Sequence, residues 1–143
     1  MRLWRVSSFA SLGGRGGELF AGRWHSAGRP VVYTAEHSAL ALLETLARLE
    51  FDETNPPYDL LEIVAPDELD VTRYPDPTPP ARLTHSSAWG DDWLACEKTA
   101  LALVPSILAP HAFNILINPR HPEAGSIRIA THVQYQWDKR LRA

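Results

Sequence analysis

The sequence predicts an α+β domain with mixed or antiparallel strand pairing. Three observations carry that expectation: short β-branched and aromatic runs near the N-terminus, one well-marked amphipathic helix after them, and a C-terminal half rich in alternating segments. With 143 residues, 45% hydrophobic and 22% charged, the chain has the size and composition of one ordinary globular domain spanning residues 1–143. A chain of that length buries roughly 70% of the surface its unfolded form exposes.

Leu3 to Val6 reads as a strand that begins at once. Residues 11–22 carry glycines at 13, 14, 16, 17 and 22 and read as a loop. No G-K-[ST] ending and no strand-to-helix frame accompany those glycines, so neither a Walker A loop nor a dinucleotide fingerprint fits. The run Val31-Val32-Tyr33 is a strand by composition. Ser38 is then placed to cap a helix running to about Glu50, with Leu42, Leu46 and Leu49 as its main apolar stripe. Residues 60–65 (LLEIVA) suggest another strand, and the proline-rich residues 74–80 a surface connection. A second helix is expected to start at Asp91 or Asp92, run through Trp93, Leu94 and Cys96, and end by Pro105. Residues 113–118, Ile127-Ile129 and Val133-Tyr135-Trp137 complete a strand-rich half.

Composition narrows the function. A net charge of −3 leaves no electrostatic footprint for nucleic acid, and the one cationic cluster, Lys139, Arg140 and Arg142, reads as a solvated tail. Cys96 is the single cysteine, which fits a reducing compartment. No apolar leader segment or membrane-length run is visible, so a cytoplasmic protein is expected. The six histidines show no metal-ligand spacing, and no metal is expected.

Glu44 has two readings. Its position four residues before Arg48 suits a solvated helical ion pair. Its own helix face, however, carries His37, Leu40, Ala41, Ala47 and Phe51, too apolar for plain solvent exposure, so the helix is sandwiched or lines a pocket. Tyr33 is either a core aromatic or a ring that stacks a ligand. Arg23, beside Trp24, is either a surface cation over an indole face or an anion-binding fork. Ser106, which follows Pro105, is a turn residue on its local context, and Asn114 and Asn118 are further polar candidates.

In order along the chain, the blocks LWRV, GRW, PVVYTA, ALALLETL, VPSILAP and NILINP resemble the RES domain, the toxin half of bacterial RES-Xre toxin–antitoxin pairs. The blocks span residue 3 to about residue 129. The resemblance implies a fold similar to diphtheria-toxin-type ADP-ribosyltransferases and NAD as substrate. The Arg, Glu and Ser of the family name fall on Arg23, Glu44 and Ser106, Tyr33 matches the active-site tyrosine, and Arg5 in LWRV is a second pocket cation. A histidine that often follows the glutamate helix in the family is replaced here by Ala47-Arg48, and PHAF stands before Asn114 in place of a more acidic form.

The implied activity is cleavage of the nicotinamide–ribose bond, with water, phosphate or a protein side chain as acceptor. Glu44 would stabilise the developing positive charge and Tyr33 would pack against the sugar or the leaving ring. Arg23 would bind the diphosphate or a ribose hydroxyl, and Ser106 would orient Glu44 or the substrate. The implied partners are an Xre-like DNA-binding antitoxin and a second copy of the chain, with no direct contact to nucleic acid or membrane. The alternatives are a non-catalytic module of the same fold that binds a nucleotide or partner, and a ribonuclease, which the absence of a basic groove disfavours.

Overall fold

A computed structural model describes residues 1–49 and 56–141. Its frame is one seven-stranded sheet in the order β4-β5-β6-β2-β1-β3-β7. The strands are β1 (Arg2–Val6), β2 (Val32–Ala35), β3 (Tyr58–Val64), β4 (Val71–Arg73), β5 (Leu101–Pro105), β6 (Phe113–Ile117) and β7 (Arg128–Tyr135). The helices are α1 (Arg15–Leu19), α2 (Ser38–Arg48) and α3 (Leu83–Cys96), and a 3-10 turn covers Ala124–Ser126. Among the described residues only β4 and β5 pair in parallel, with Val71 opposite Leu101. The other pairs are antiparallel, so the observed class is the α+β class expected from the sequence. Among the described residues no helix is long and apolar enough to cross a membrane.

The pleat sorts the inner strands onto two faces. Leu101, Ile115, Ile117, Val32, Leu3, Leu61 and Ile63 build one buried cluster. On the opposite face Ala102, Val104 and Leu116 meet Trp93 and Leu94 of α3, together with Trp24 and Val31. Residues 101–104 are thus apolar toward both faces. Such a run lacks alternation and cannot be told from a buried helix by its period, and this corrects the expected helix through Pro105. Pro105 ends β5 instead.

α3 starts at Leu83, eight residues before the expected Asp91 start. Its buried positions are Ser86, Gly90, Trp93 and Leu94, so two of the four stripe residues are small or polar and hide the period. Both have local causes. The Ser86 hydroxyl donates to the Arg23 carbonyl at 2.6 Å, and a Cβ at Gly90 would overlap the Trp24 carbonyl oxygen. β4 was missed because it is three residues long. The glycine-rich loop contains the short α1, entered through Gly14 at φ 73°, a left-handed conformation that glycine adopts without strain. The two expected segments join in the single strand β7, which takes in Ile129, Val133 and Tyr135 and leaves Ile127 and Trp137 just outside its ends.

α2 is rich in Ala and Leu, which favours a helix. Its N-cap is His37, whose Nδ1 accepts from the Ala39 amide at 3.2 Å, while the expected cap Ser38 is the first helical residue. Glu50, the expected end of the helix, lies outside the described residues, as do Phe51 and Arg142. α2 packs across β1 and β2. Leu40 and Ala41 meet Ala35, Trp4 and Val6 there, and also Ala109 and Ala112 of the β5–β6 connection.

Candidate active site

β1 and β2 share one register pair, Trp4 opposite Ala35. Arg5 occupies the space beside that short ladder, donating from Nη1 to the Tyr33 carbonyl at 2.8 Å. Its Nε is buried without a hydrogen-bond partner. Burial, and then the nearby Arg48 charge, lower the Arg5 pKa. An arginine still remains cationic at neutral pH, so a buried donor edge next to a second cation is well suited to an anionic oxygen.

A cavity of about 330 Å³ opens at this point, within the range of small-molecule sites. Its walls are Trp4, Arg5 and Val6 of β1, residues 33–35 of β2, Glu44, Thr45 and Arg48 of α2, and the glycine-bearing segment around α1. Glu44 is therefore at a pocket, the second of its two readings. Asn114 explains how it is held. The Asn114 side-chain amide donates to Glu44 Oε1 at 2.7 Å and to the Thr34 carbonyl at 3.1 Å, joining α2 to the sheet. Burial raises the Glu44 pKa above the usual glutamate value, with the Asn114 hydrogen bond and the Arg48 charge acting in the opposite direction.

Tyr33 lines the cavity, and its hydroxyl is engaged by the protein. That oxygen accepts the Trp24 amide at 3.0 Å and lies 2.7 Å from His25 Nδ1. Burial is the main reason its pKa stands well above that of a free phenol. Gly22 permits the approach, since a Cβ there would fall 2.5 Å from the hydroxyl.

The structure brings together Arg5, Tyr33 and Glu44 of the five expected site residues. Arg23 is half-buried and is not among the lining residues. Its backbone is drawn toward α3 by Ser86, although its charge reaches the Tyr33 hydroxyl. Ser106 is also outside the lining. It is 6% exposed, and its hydroxyl accepts the amides of Leu108 and Ala109 at 3.1 and 3.2 Å, closing the turn whose Ala109 and Ala112 support α2. Arg48, which the sequence offers as the partner of a solvated Glu44, lines the cavity. His25 lines it as well, and nothing in its spacing pointed there. Asn114, one of the polar candidates, is the residue that holds Glu44.

Comparison with known proteins finds relatives along nearly the whole chain. Residues 2–138 match the RES domain model. A relative named Toxin Res, from Pseudomonas putida, is 41% identical over 133 residues, covering 90% of this chain and 92% of its own. A Sphingobium protein named Prs ADP-ribosylating toxin is 34% identical over 154 residues, covering 96% of this chain and 94% of its own. The crystal structure of the M. tuberculosis MbcT-MbcA toxin–antitoxin complex contains a chain with the same fold, at TM-score 0.76 over 94% of this chain and 84% of that one, with 17% identity. With nearly the whole length matched by the family model and by curated relatives, the chain belongs to the RES domain family.

Proposed function

We propose that this protein is a toxin of a toxin–antitoxin pair that consumes NAD by breaking its nicotinamide–ribose bond. The observation that carries the reading is the convergence of Glu44, Tyr33 and the two cations Arg5 and Arg48 on one cavity. The names of the relatives, Toxin Res and ADP-ribosylating toxin, support it.

The bonding electrons leave with nicotinamide, which departs neutral, and the ribose becomes oxocarbenium-like. A carboxylate beside that carbon stabilises the charge as it develops, as in glycoside hydrolysis. Glu44 fills that role, held in aim by Asn114. Its raised pKa reflects a carboxylate short of solvation, whose charge acts strongly at close range. Arg5 binds a phosphate oxygen or ribose hydroxyl through its guanidinium, and Arg48 adds positive potential at the wall. The Tyr33 ring packs against the nicotinamide or sugar with little entropy to lose. Arg23 acts from behind Tyr33, and Ser106 acts through the turn that supports α2. Water, phosphate or a protein side chain captures the cation; with water the products are ADP-ribose, nicotinamide and a proton.

Such an enzyme in the cytoplasm needs restraint, and the MbcT-MbcA likeness supports an antitoxin partner. An Xre-like antitoxin would supply any DNA affinity of the complex, because this chain carries net charge −3. A carboxylate of that partner seated on Arg5 would block the cavity, and a pair of toxin chains is expected within the assembly. The test is to incubate the purified protein with NAD and measure free nicotinamide. Release supports the enzyme, whereas NAD binding without release supports a non-catalytic module.

A further inference from the structure

His25 is 2% exposed, yet it borders the cavity. Its two ring nitrogens have different partners. Nε2 lies 2.9 Å from the Gly17 carbonyl oxygen, and Nδ1 lies 2.7 Å from the Tyr33 hydroxyl. A carbonyl oxygen only accepts, so Nε2 carries a proton. In the neutral ring Nδ1 is then bare and accepts the phenolic proton. The phenolic oxygen in turn accepts the Trp24 amide.

Every proton in that chain has one acceptor: Trp24 N–H to Tyr33, Tyr33 O–H to His25, His25 Nε2–H to Gly17. A protonated imidazole fits less well, because two N–H groups would converge on the phenolic oxygen and the phenol's own proton would need another acceptor. The surrounding segment is clamped in the same direction. Gly22 and His25 form an isolated β-bridge, and both Asp91 carboxylate oxygens accept from Ser26, one from its amide and one from its hydroxyl. The Tyr33 hydroxyl is therefore held at the cavity edge between the Trp24 amide and the His25 ring, which fixes the ring it carries.

We infer that His25 is a positioning residue. Through Nδ1 it sets the angle of the Tyr33 ring at the reacting centre, and through Nε2 it ties the Gly17 wall of the cavity to that ring. The inference rests on the proposed cleavage chemistry for its consequence, and on the hydrogen-bond chain for its cause.

Two substitutions separate the two nitrogens. His25→Asn can keep an acceptor near the Nδ1 position but falls short of Gly17. His25→Gln can reach the Gly17 carbonyl with its amide but places no acceptor on Tyr33. The measurements are kcat and KM for nicotinamide release, thermal unfolding, the 15N-resolved tautomer of His25, and the Tyr33 ring-flip rate by NMR. The expected tautomer is neutral with the proton on Nε2. His25→Asn should keep kcat within about threefold and a slow Tyr33 flip. His25→Gln should lose about tenfold in kcat with little change in KM and show faster flipping, since a misplaced group costs the chemical step. An Nδ1–H tautomer would overturn the inference, as would equal kcat in His25→Gln and wild type, or equal losses in the two variants. If wild type releases no nicotinamide, the functional reading fails instead. The tautomer and flip rates then still decide whether His25 holds Tyr33.

Discussion

Every residue that lines the cavity falls between Trp4 and Arg48, while residues 56–141 supply five of the seven strands, α3 and most of the buried core. The first region holds the cavity, and the second supplies most of the core behind it. Several side chains cross between them, Ser86, Thr34 and the Ser26–Asp91 pair included, and Asn114 of β6 is the one whose amide reaches Glu44. The two regions should therefore answer mutation differently: changes at the cavity lower rate with little loss of stability, and changes behind it lower stability with little loss of rate.

Glu44→Gln is the most severe test of the first half of that statement. It keeps the Asn114 hydrogen bond and removes the charge. The loss should be about a hundredfold in kcat, or roughly 3 kcal/mol of transition-state stabilisation. Its effect on folding follows from the direction of the pKa shift. The folded pKa is raised above the unfolded one, chiefly by burial. The folded state thus holds that proton more tightly, and stability falls as pH rises through the folded value. Thermal unfolding at neutral pH should show Glu44→Gln at least as stable as wild type; a clear loss of melting temperature would place Glu44 in the scaffold.

Arg5→Lys comes next. It keeps a cation but loses the fork that can hold Tyr33 with one arm and an anion with the other. Steady-state kinetics should show kcat/KM reduced about tenfold, mainly through KM. Asn114→Ala should then break the separation itself. With its donor gone, Glu44 loses an interaction that lowers its pKa, so the acid limb of the rate profile should move to higher pH while kcat falls several-fold. Urea unfolding should show a loss of about 1–2 kcal/mol, as for a buried hydrogen-bonded group. Ser106→Ala should have the smallest effect on rate, within about threefold. Its cost of about 1 kcal/mol in unfolding comes from the Leu108 and Ala109 amides left without an acceptor.

The same division explains what could be read in the sequence. β1, β2 and α2 have clean local signatures, and the apolar flank around Glu44 is the side of α2 that packs on the sheet, through Leu40 and Ala41. Leu42 and Leu46 of the expected main stripe are only half-buried, and Leu49, with Ala39, Leu43 and Ala47, is exposed. The resemblance to the RES family placed Tyr33 and Glu44 in one site eleven positions apart, and the fold brings both to one wall. What local pattern could not show was long-range. Asn114 meets Glu44 only because β6 pairs with β2, and Arg5 reaches Tyr33 only through the β1–β2 contact. Arg23 stands next to Trp24 in sequence, but α3 decides which way its backbone turns. α3 and β5 were misread for a related reason. A helix with serine and glycine on its buried side, and a strand apolar on both sides, lose the periodicities that identify them.

The central claim is that the ionised carboxylate of Glu44, short of solvent in this cavity, drives cleavage of the nicotinamide–ribose bond. The most direct test is the pH dependence of nicotinamide release at saturating NAD, measured for wild type and Glu44→Gln together. Wild-type kcat should rise with pH along an acid limb whose midpoint lies above the usual glutamate pKa, because the active form is the ionised one and burial raises its pKa. In Glu44→Gln the remaining rate should be low and flat across that limb. An identical limb in both proteins, or full turnover in the variant, would contradict the account.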